Sequence, residues 1–140
     1  MSVSSIALSG LLAQSQRIAG SASNVANARS TGARPDATGV LPQDKPAPYQ
    51  PVDTVQQSVV GAAGQGLGTS AAYQPRRPAT VAEYSPDSSF ADDQGLIDAP
   101  NVDLASEAID QTVALRAYQA NLKAFEAADE MTREALNLTS

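Results

Sequence analysis

The chain has no cysteine, no histidine and no tryptophan, and aromatic residues fill only 4% of its 140 positions. Without cysteine there are no disulfide staples, thiol nucleophiles or thiolate zinc sites. Without histidine the side chain best suited to proton transfer near neutral pH is also missing. Most familiar enzyme classes fall with these absences, and no catalytic residue, cofactor or metal is expected. Cations are scarce too: nine Lys and Arg against fifteen Asp and Glu leave a net charge of −6. A protein that tracks nucleic-acid phosphates depends on clustered cations, so that partner class is excluded. No run approaches the roughly 18 apolar residues of a membrane span. Nor does the start read as a secretory leader, which places charge ahead of about 7–15 apolar residues. Here Ser9 and Gly10 interrupt the apolar run, and the first cation is Arg17.

What is abundant is alanine, with 26 residues. Burying a large apolar side chain contributes roughly 1.5–3 kcal/mol and alanine much less, so one domain built from this composition has a shallow core. Burial between chains would make up the shortfall.

Proline and glycine divide the chain. All nine prolines lie between Pro35 and Pro100, and seven of nine glycines between Gly32 and Gly95. We therefore expect a mainly α fold in three parts. Residues 1–30 form an N-terminal helix, 31–100 a Pro/Gly-rich irregular or short-β middle, and 101–140 a C-terminal helix, the two helices pairing as a coiled-coil inner domain. Leu8, Leu11, Ser15, Ile18, Ala22 and Val25 are spaced by 3, 4, 3, 4 and 3 residues, the rhythm of a heptad seam. That predicts a helix over roughly 3–28, stopped by Gly32 and Pro35. The second helix, over 102–138, follows Pro100, with Asn101 or Asp103 as N-cap and Glu107 early, where the helix dipole favours an anion. Leu115, Tyr118, Leu122 and Phe125 continue the spacing, while Ile109, Val113, Ala120, Ala124, Met131 and Ala135 form a second, smaller-residue stripe. Two stripes imply two neighbours. Either the helices form a simple antiparallel hairpin in one monomer, or they also pack on other copies or partners.

In the middle, Val52, Val55, Val59 and Val60 suggest one strand and Ala79–Tyr84 another, with Gly61–Gly68 as a flexible turn and 33–48 as extended linker. Chemical motifs are weak. Gly64, Gly66 and Gly68 have the wrong spacing for a nucleotide loop, and no G-K-[ST] accompanies them. Asp87, Asp92 and Asp93 lack the spacing of a calcium loop and read as a solvated acidic turn. Glu126, Asp129, Glu130 and Glu134 with Lys123 and Arg133 read as a wet helix face. Arg76-Arg77, between Pro75 and Pro78, reads as a solvated bend.

Two stretches resemble the axial proteins of the bacterial flagellum, most closely the proximal-rod type of basal-body rod protein. One is Ala22-Ser23-Asn24-Val25-Ala26-Asn27, similar to the A-S-N-x-A-N signature of rod, hook and hook-associated proteins. The other runs from Tyr84-Ser85-Pro86-Asp87-Ser88 through Gly95-Leu96-Ile97 and Pro100-Asn101-Val102-Asp103-Leu104 to Arg116-Ala117-Tyr118-Gln119-Ala120-Asn121. Together they cover a little over half of the chain. One departure is visible: the family's T-P-G-Y-like turn is replaced by Ser30-Thr31-Gly32-Ala33.

The resemblance implies a structural rod subunit of the flagellar basal body, in a torque-transmitting tube that crosses the periplasm. Its partners would be other copies, other rod proteins, the flagellar type III export apparatus and membrane-ring components. Export would proceed without a cleaved signal peptide. The expected assembly interface comprises Leu8, Leu11, Ile18 and Val25 in the first helix and Ile109, Val113, Leu115, Tyr118, Leu122 and Phe125 in the second. Asn24, Asn27, Asn101 and Asn121 would fix register, with capping or turn chemistry the alternative for Asn27 and Asn101. The rivals are a soluble helical adaptor such as an export chaperone, and a sister proximal-rod subunit.

Overall fold

The computed structural model describes residues 2–36 and 38–138. Two helices enclose four strands: α1 (Val3–Ala26), β1 (Val52–Val60), β2 (Gly66–Pro75), β3 (Thr80–Tyr84), β4 (Leu96–Pro100) and α2 (Leu104–Asn137). With 43% helix and 22% strand among the described residues, the architecture is mixed α/β, which corrects the expectation of a mainly α fold. The terminal helices are there. The difference lies in the middle, where β1 and β2 make a long antiparallel hairpin from Val52↔Pro75 to Val60↔Gly66. Strand begins at Gly66, inside the stretch that composition marks as a turn, because pairing with the valine-rich β1 supplies the hydrogen bonds that weak local propensity does not. The turn shrinks to Gly61–Gln65, with Gly64 at positive φ. A second antiparallel pair joins β3 to β4, and Gly32 bridges to Asp98 on β4. Gly32 has no room for a side chain: a Cβ there would collide with the backbone at Ala47 and Pro48.

Each helix starts on a side-chain cap. Ser2 accepts from the Ser5 amide, and Asp103 accepts from the Ala105 amide, one of the orphan donors of a helix start. Asn27 closes α1 by returning its Nδ2 to the Ser23 carbonyl at 2.9 Å, so it acts as a cap. The helices run antiparallel, since Asn24 meets Glu107 and Gly10 meets Asn121. Extending that register sets Val3 opposite Ala128, and the last turns of α2 continue past the start of α1. The buried positions of both helices step by sevens: Ala7, Gln14 and Ser21 on α1, and Glu107, Ala114 and Ala128 on α2; Ser21 meets Glu107, while Gln14 turns to Gln56 on the hairpin. The hairpin lies along a second side of α1, whereas the backbone of α2 packs closely on α1 alone among the described elements.

The core is shallow. Among the described residues, Leu11 and Ile97 are the large aliphatics buried in it, joined by alanines and by prolines such as Pro51.

Candidate functional site: a polar clasp and an outward apolar face

Asn24 is 1% exposed, and its amide is fully used. Nδ2 donates to the Val52 carbonyl at 2.8 Å and to Glu107 Oε1 at 3.0 Å. Oδ1 accepts from the Val52 amide at 3.0 Å and the Tyr49 hydroxyl at 3.2 Å. One side chain thus pairs with both main-chain groups of Val52, as a neighbouring strand would.

Glu107, 2% exposed, receives a second donor on the same oxygen, Arg76 Nη2 at 2.8 Å. Arg76 also donates from Nε and Nη2 to Asp53 Oδ1 and from Nη1 to the Asn101 carbonyl at 3.0 Å. Its guanidinium therefore links β1, the end of β2 and the start of α2. Burial works to lower the Arg76 pKa, but its hydrogen bonds and charge pairing with Asp53 and Glu107 outweigh that, leaving it above the ordinary value. The solvated bend expected at Arg76 is corrected: its side chain is only 21% exposed, because two carboxylates and a carbonyl take up its donors. Ser21 donates to the Glu107 carbonyl and accepts from Gln111, and Arg17 pairs with Asp110 at 2.9 Å. These groups line an open cleft of about 340 Å³ between α1, β1 and α2. Every charge in it has a partner of opposite sign, a pattern suited to joining elements rather than to proton transfer.

The expected interface residues fall into two sets. Leu11 is buried within the chain, as is Asn24, and Ile18, Tyr118 and Phe125 are half-buried beside the helix–helix contact. Leu8, Val25, Ile109, Val113, Leu115 and Leu122 are exposed. The other asparagines all have work inside the chain. Asn101 donates to the Pro78 carbonyl, and Asn121 donates to the Ala117 carbonyl with its amide against Gly10. In the acidic loop, Asp92 accepts from the Gln94 and Leu96 amides, so it serves as turn chemistry. Among the described residues no group of three or more His, Cys, Asp or Glu is placed to hold a metal ion, and no helix is long and apolar enough to cross a membrane.

Sequence reasoning missed Arg76, Asp53 and Tyr49 as members of this site. The available signal was Glu107, which stands at a seven-residue step from Ala114 and Asn121, a charge on a face otherwise made of small residues.

A family model described as the flagellar basal body rod FlgEFG protein C-terminal matches residues 93–138, which include all of α2. Over nearly the full chain, the flagellar basal-body rod protein FlgC of Escherichia coli O6:H1 is 33% identical, covering 99% of this chain and 96% of its own. FlgC of Yersinia enterocolitica is 34% identical with 99% and 96% covered, and that of Agrobacterium fabrum 31% with 96% and 91%. The chain belongs to the FlgC family of flagellar basal-body rod proteins. The similarity extends through the β-structured middle, beyond the two stretches in which the sequence resemblance was visible. FlgC-family membership thus covers the clasp as well as both helices.

Proposed function

We propose that this chain is a structural subunit of the flagellar basal-body rod, a non-enzymatic building block that assembles with further copies of itself and with other rod proteins. The observation that carries the reading, beside full-length similarity to FlgC proteins, is the apolar surface that the single chain leaves uncovered on its helices. Leu8 is 46% exposed, Ile109 64%, Val113 46%, Leu115 50% and Leu122 38%. Exposed apolar stripes of this kind, with Ile109 and Val113 on one side of α2 and Leu115 and Leu122 on another, point to more than one neighbour. A contact repeated by a rotation that does not close yields an open filament, the geometry a rod needs.

The same reading covers the remaining partners. A chain with a shallow core and no disulfide unfolds at low cost, which suits passage through the export apparatus without a cleaved signal, and contacts with membrane-ring components in the periplasm-spanning rod follow from that location. The adaptor alternative is not favoured, because the relatives named above are all rod proteins.

The test is Leu122→Asp. Since Leu122 is partly exposed, the isolated chain should keep its helical circular dichroism, while motility is lost and the chain disappears from purified hook–basal bodies. Mass spectrometry that finds the unsubstituted chain absent from basal bodies and abundant in cytosol would overturn the rod reading in favour of an adaptor.

A further inference from the structure

We infer that Asn24, Arg76 and Glu107 are positioning residues: they form a clasp closed within one subunit, and what the clasp sets is the orientation of the β1–β2 hairpin on the helix pair. Only the assembly arm of the test below rests on the rod reading.

The hairpin has little apolar anchorage. Apart from half-buried Val52, Thr54 and Val55, the residues of β1 are exposed, and β2 is half-buried only at Leu67–Thr69 and Ala71. A two-stranded sheet of that kind is marginal by itself, so its attachment depends on a few directional contacts. Near the closed end the Thr69 amide donates to Ser9 Oγ at 3.1 Å, and nearer the open end the Tyr73 hydroxyl donates to the Gln16 carbonyl at 3.0 Å. Both of these tie the hairpin to α1 only.

At the open end the clasp ties it to both helices at once. Asn24 holds Val52 by its amide and its carbonyl, the geometry of a strand neighbour supplied by a helix side chain. Arg76, one residue past β2, reaches back across the hairpin to Asp53 and forward to Glu107 and the Asn101 carbonyl. Asn24 and Glu107 share one oxygen of the carboxylate, so loss of either unsettles both tethers. Four segments far apart in sequence meet here, around residues 24, 52–53, 76 and 101–107.

The burial of Asn24 and Glu107 makes the inference specific. With 1% and 2% of their surfaces accessible, neither side chain offers a neighbour anything to touch. Any influence they have on a neighbouring subunit passes through the element they hold.

The absence of cysteine makes the test direct, because introduced thiols are the sole labelling sites. In the full chain, Gln74→Cys at the open end of the hairpin and Glu126→Cys on α2 carry spin labels for a pulsed distance measurement. The inference expects one narrow distribution in the otherwise unsubstituted chain and in Asn27→Ala, which alters the neighbouring asparagine of the same signature. Asn24→Ala and Glu107→Gln should broaden it with helical circular dichroism retained. Protease cleavage within 52–75 should become at least about tenfold faster, the signature of local opening. Arg76→Lys, which keeps the charge but not the fork, should fall between. If Asn24→Ala loses its helices, Glu107→Gln decides, since it keeps the acceptor and the shape.

A distribution that stays narrow in both variants, or that is already broad in the unsubstituted chain, overturns the clasp. In the assembly arm, variants with a released hairpin should fail to enter basal bodies. Their normal incorporation would overturn the claim that hairpin orientation matters to neighbours, while leaving the rod reading intact.

Discussion

Where α1 ends and α2 begins, the helices are joined by hydrogen bonds and charge through Asn24, Arg76 and Glu107, whereas toward the start of α1 they are joined by the close approach of small residues, Gly10 against Asn121. A contact between small side chains holds helices near one another but says little about register, and surfaces that repeat every seven residues invite a slip by one repeat. Hydrogen bonds are sensitive to distance and angle. The polar end therefore selects one alignment of the seven-residue steps, and the small-residue end allows the backbones to lie close once that alignment is chosen. The same division explains the exposed apolar side chains. Because the helices meet through small and polar residues, the larger ones remain on the outside.

The largest expected effect breaks the polar end. Arg76→Ala leaves the carboxylate of Glu107 buried without its cation, and breaking such a pair costs about 3 kcal/mol. Urea unfolding monitored by helical circular dichroism should show that loss, and Asp53→Ala, at the exposed side of the same network, should lose much less. A change near zero for Arg76→Ala would mean that the clasp does not hold the two regions together.

The next effect tests the small-residue end. Gly10→Leu should destabilise by about 2 kcal/mol, the scale of overpacking, because even a Cβ at position 10 would lie 2.7 Å from Asn121 Oδ1. Gly10→Ala combined with Asn121→Ala should instead be stabilising, since alanine is better in a helix than glycine by roughly 1 kcal/mol. Equal destabilisation by the double variant would show that Asn121 contributes more than occupied space.

The smallest effect concerns the cap of α2, beside the clasp. The hydrogen bond from the Ser106 hydroxyl, and then that from the Ala105 amide, hold the Asp103 carboxyl below its ordinary 3.8. A carboxyl with a lowered pKa in the folded chain binds fewer protons there than in the unfolded chain. Its contribution is therefore complete above 3.8 and disappears as pH falls through the lowered value. Asp103→Ala should thus lower Tm at pH 7 and leave it unchanged at strongly acid pH. An equal loss at both pH values would show that the cap acts without its charge.

Both helices were legible because period and punctuation agree there. The 3–4 spacing of apolar residues, with Gly32 and Pro35 after α1 and Pro100 and Asp103 before α2, bounds Val3–Ala26 and Leu104–Asn137 within a few residues. The valines of β1 were legible for a similar reason. β2 was not: Gly66, Gly68, Ser70, Ala71 and Ala72 carry almost no strand propensity, and the strand exists because β1 lies beside it. β4 was hidden in the same way, as five residues that pair with β3. Of the site, the asparagine signature drew attention to Asn24 as a register-fixing residue, but not to Val52 and Glu107 as its partners. Spacing along a helix reports which residues share a face, not which face meets a neighbour. Leu8 shares the expected first-helix seam with Leu11, yet it lies exposed while Leu11 is buried.

By itself the sequence determined the helices, the choice of Asn101 or Asp103 to cap α2 and the scarcity of large core residues, since these depend on composition and on neighbours within a few positions. The partners of Arg76 and Asn24, the strand at β2 and the outward turn of the apolar stripes were decided by tertiary structure. The contacts of Arg76 and Asn24 join groups 23 to 83 residues apart, and no local pattern encodes a contact whose two halves meet only when the chain has folded.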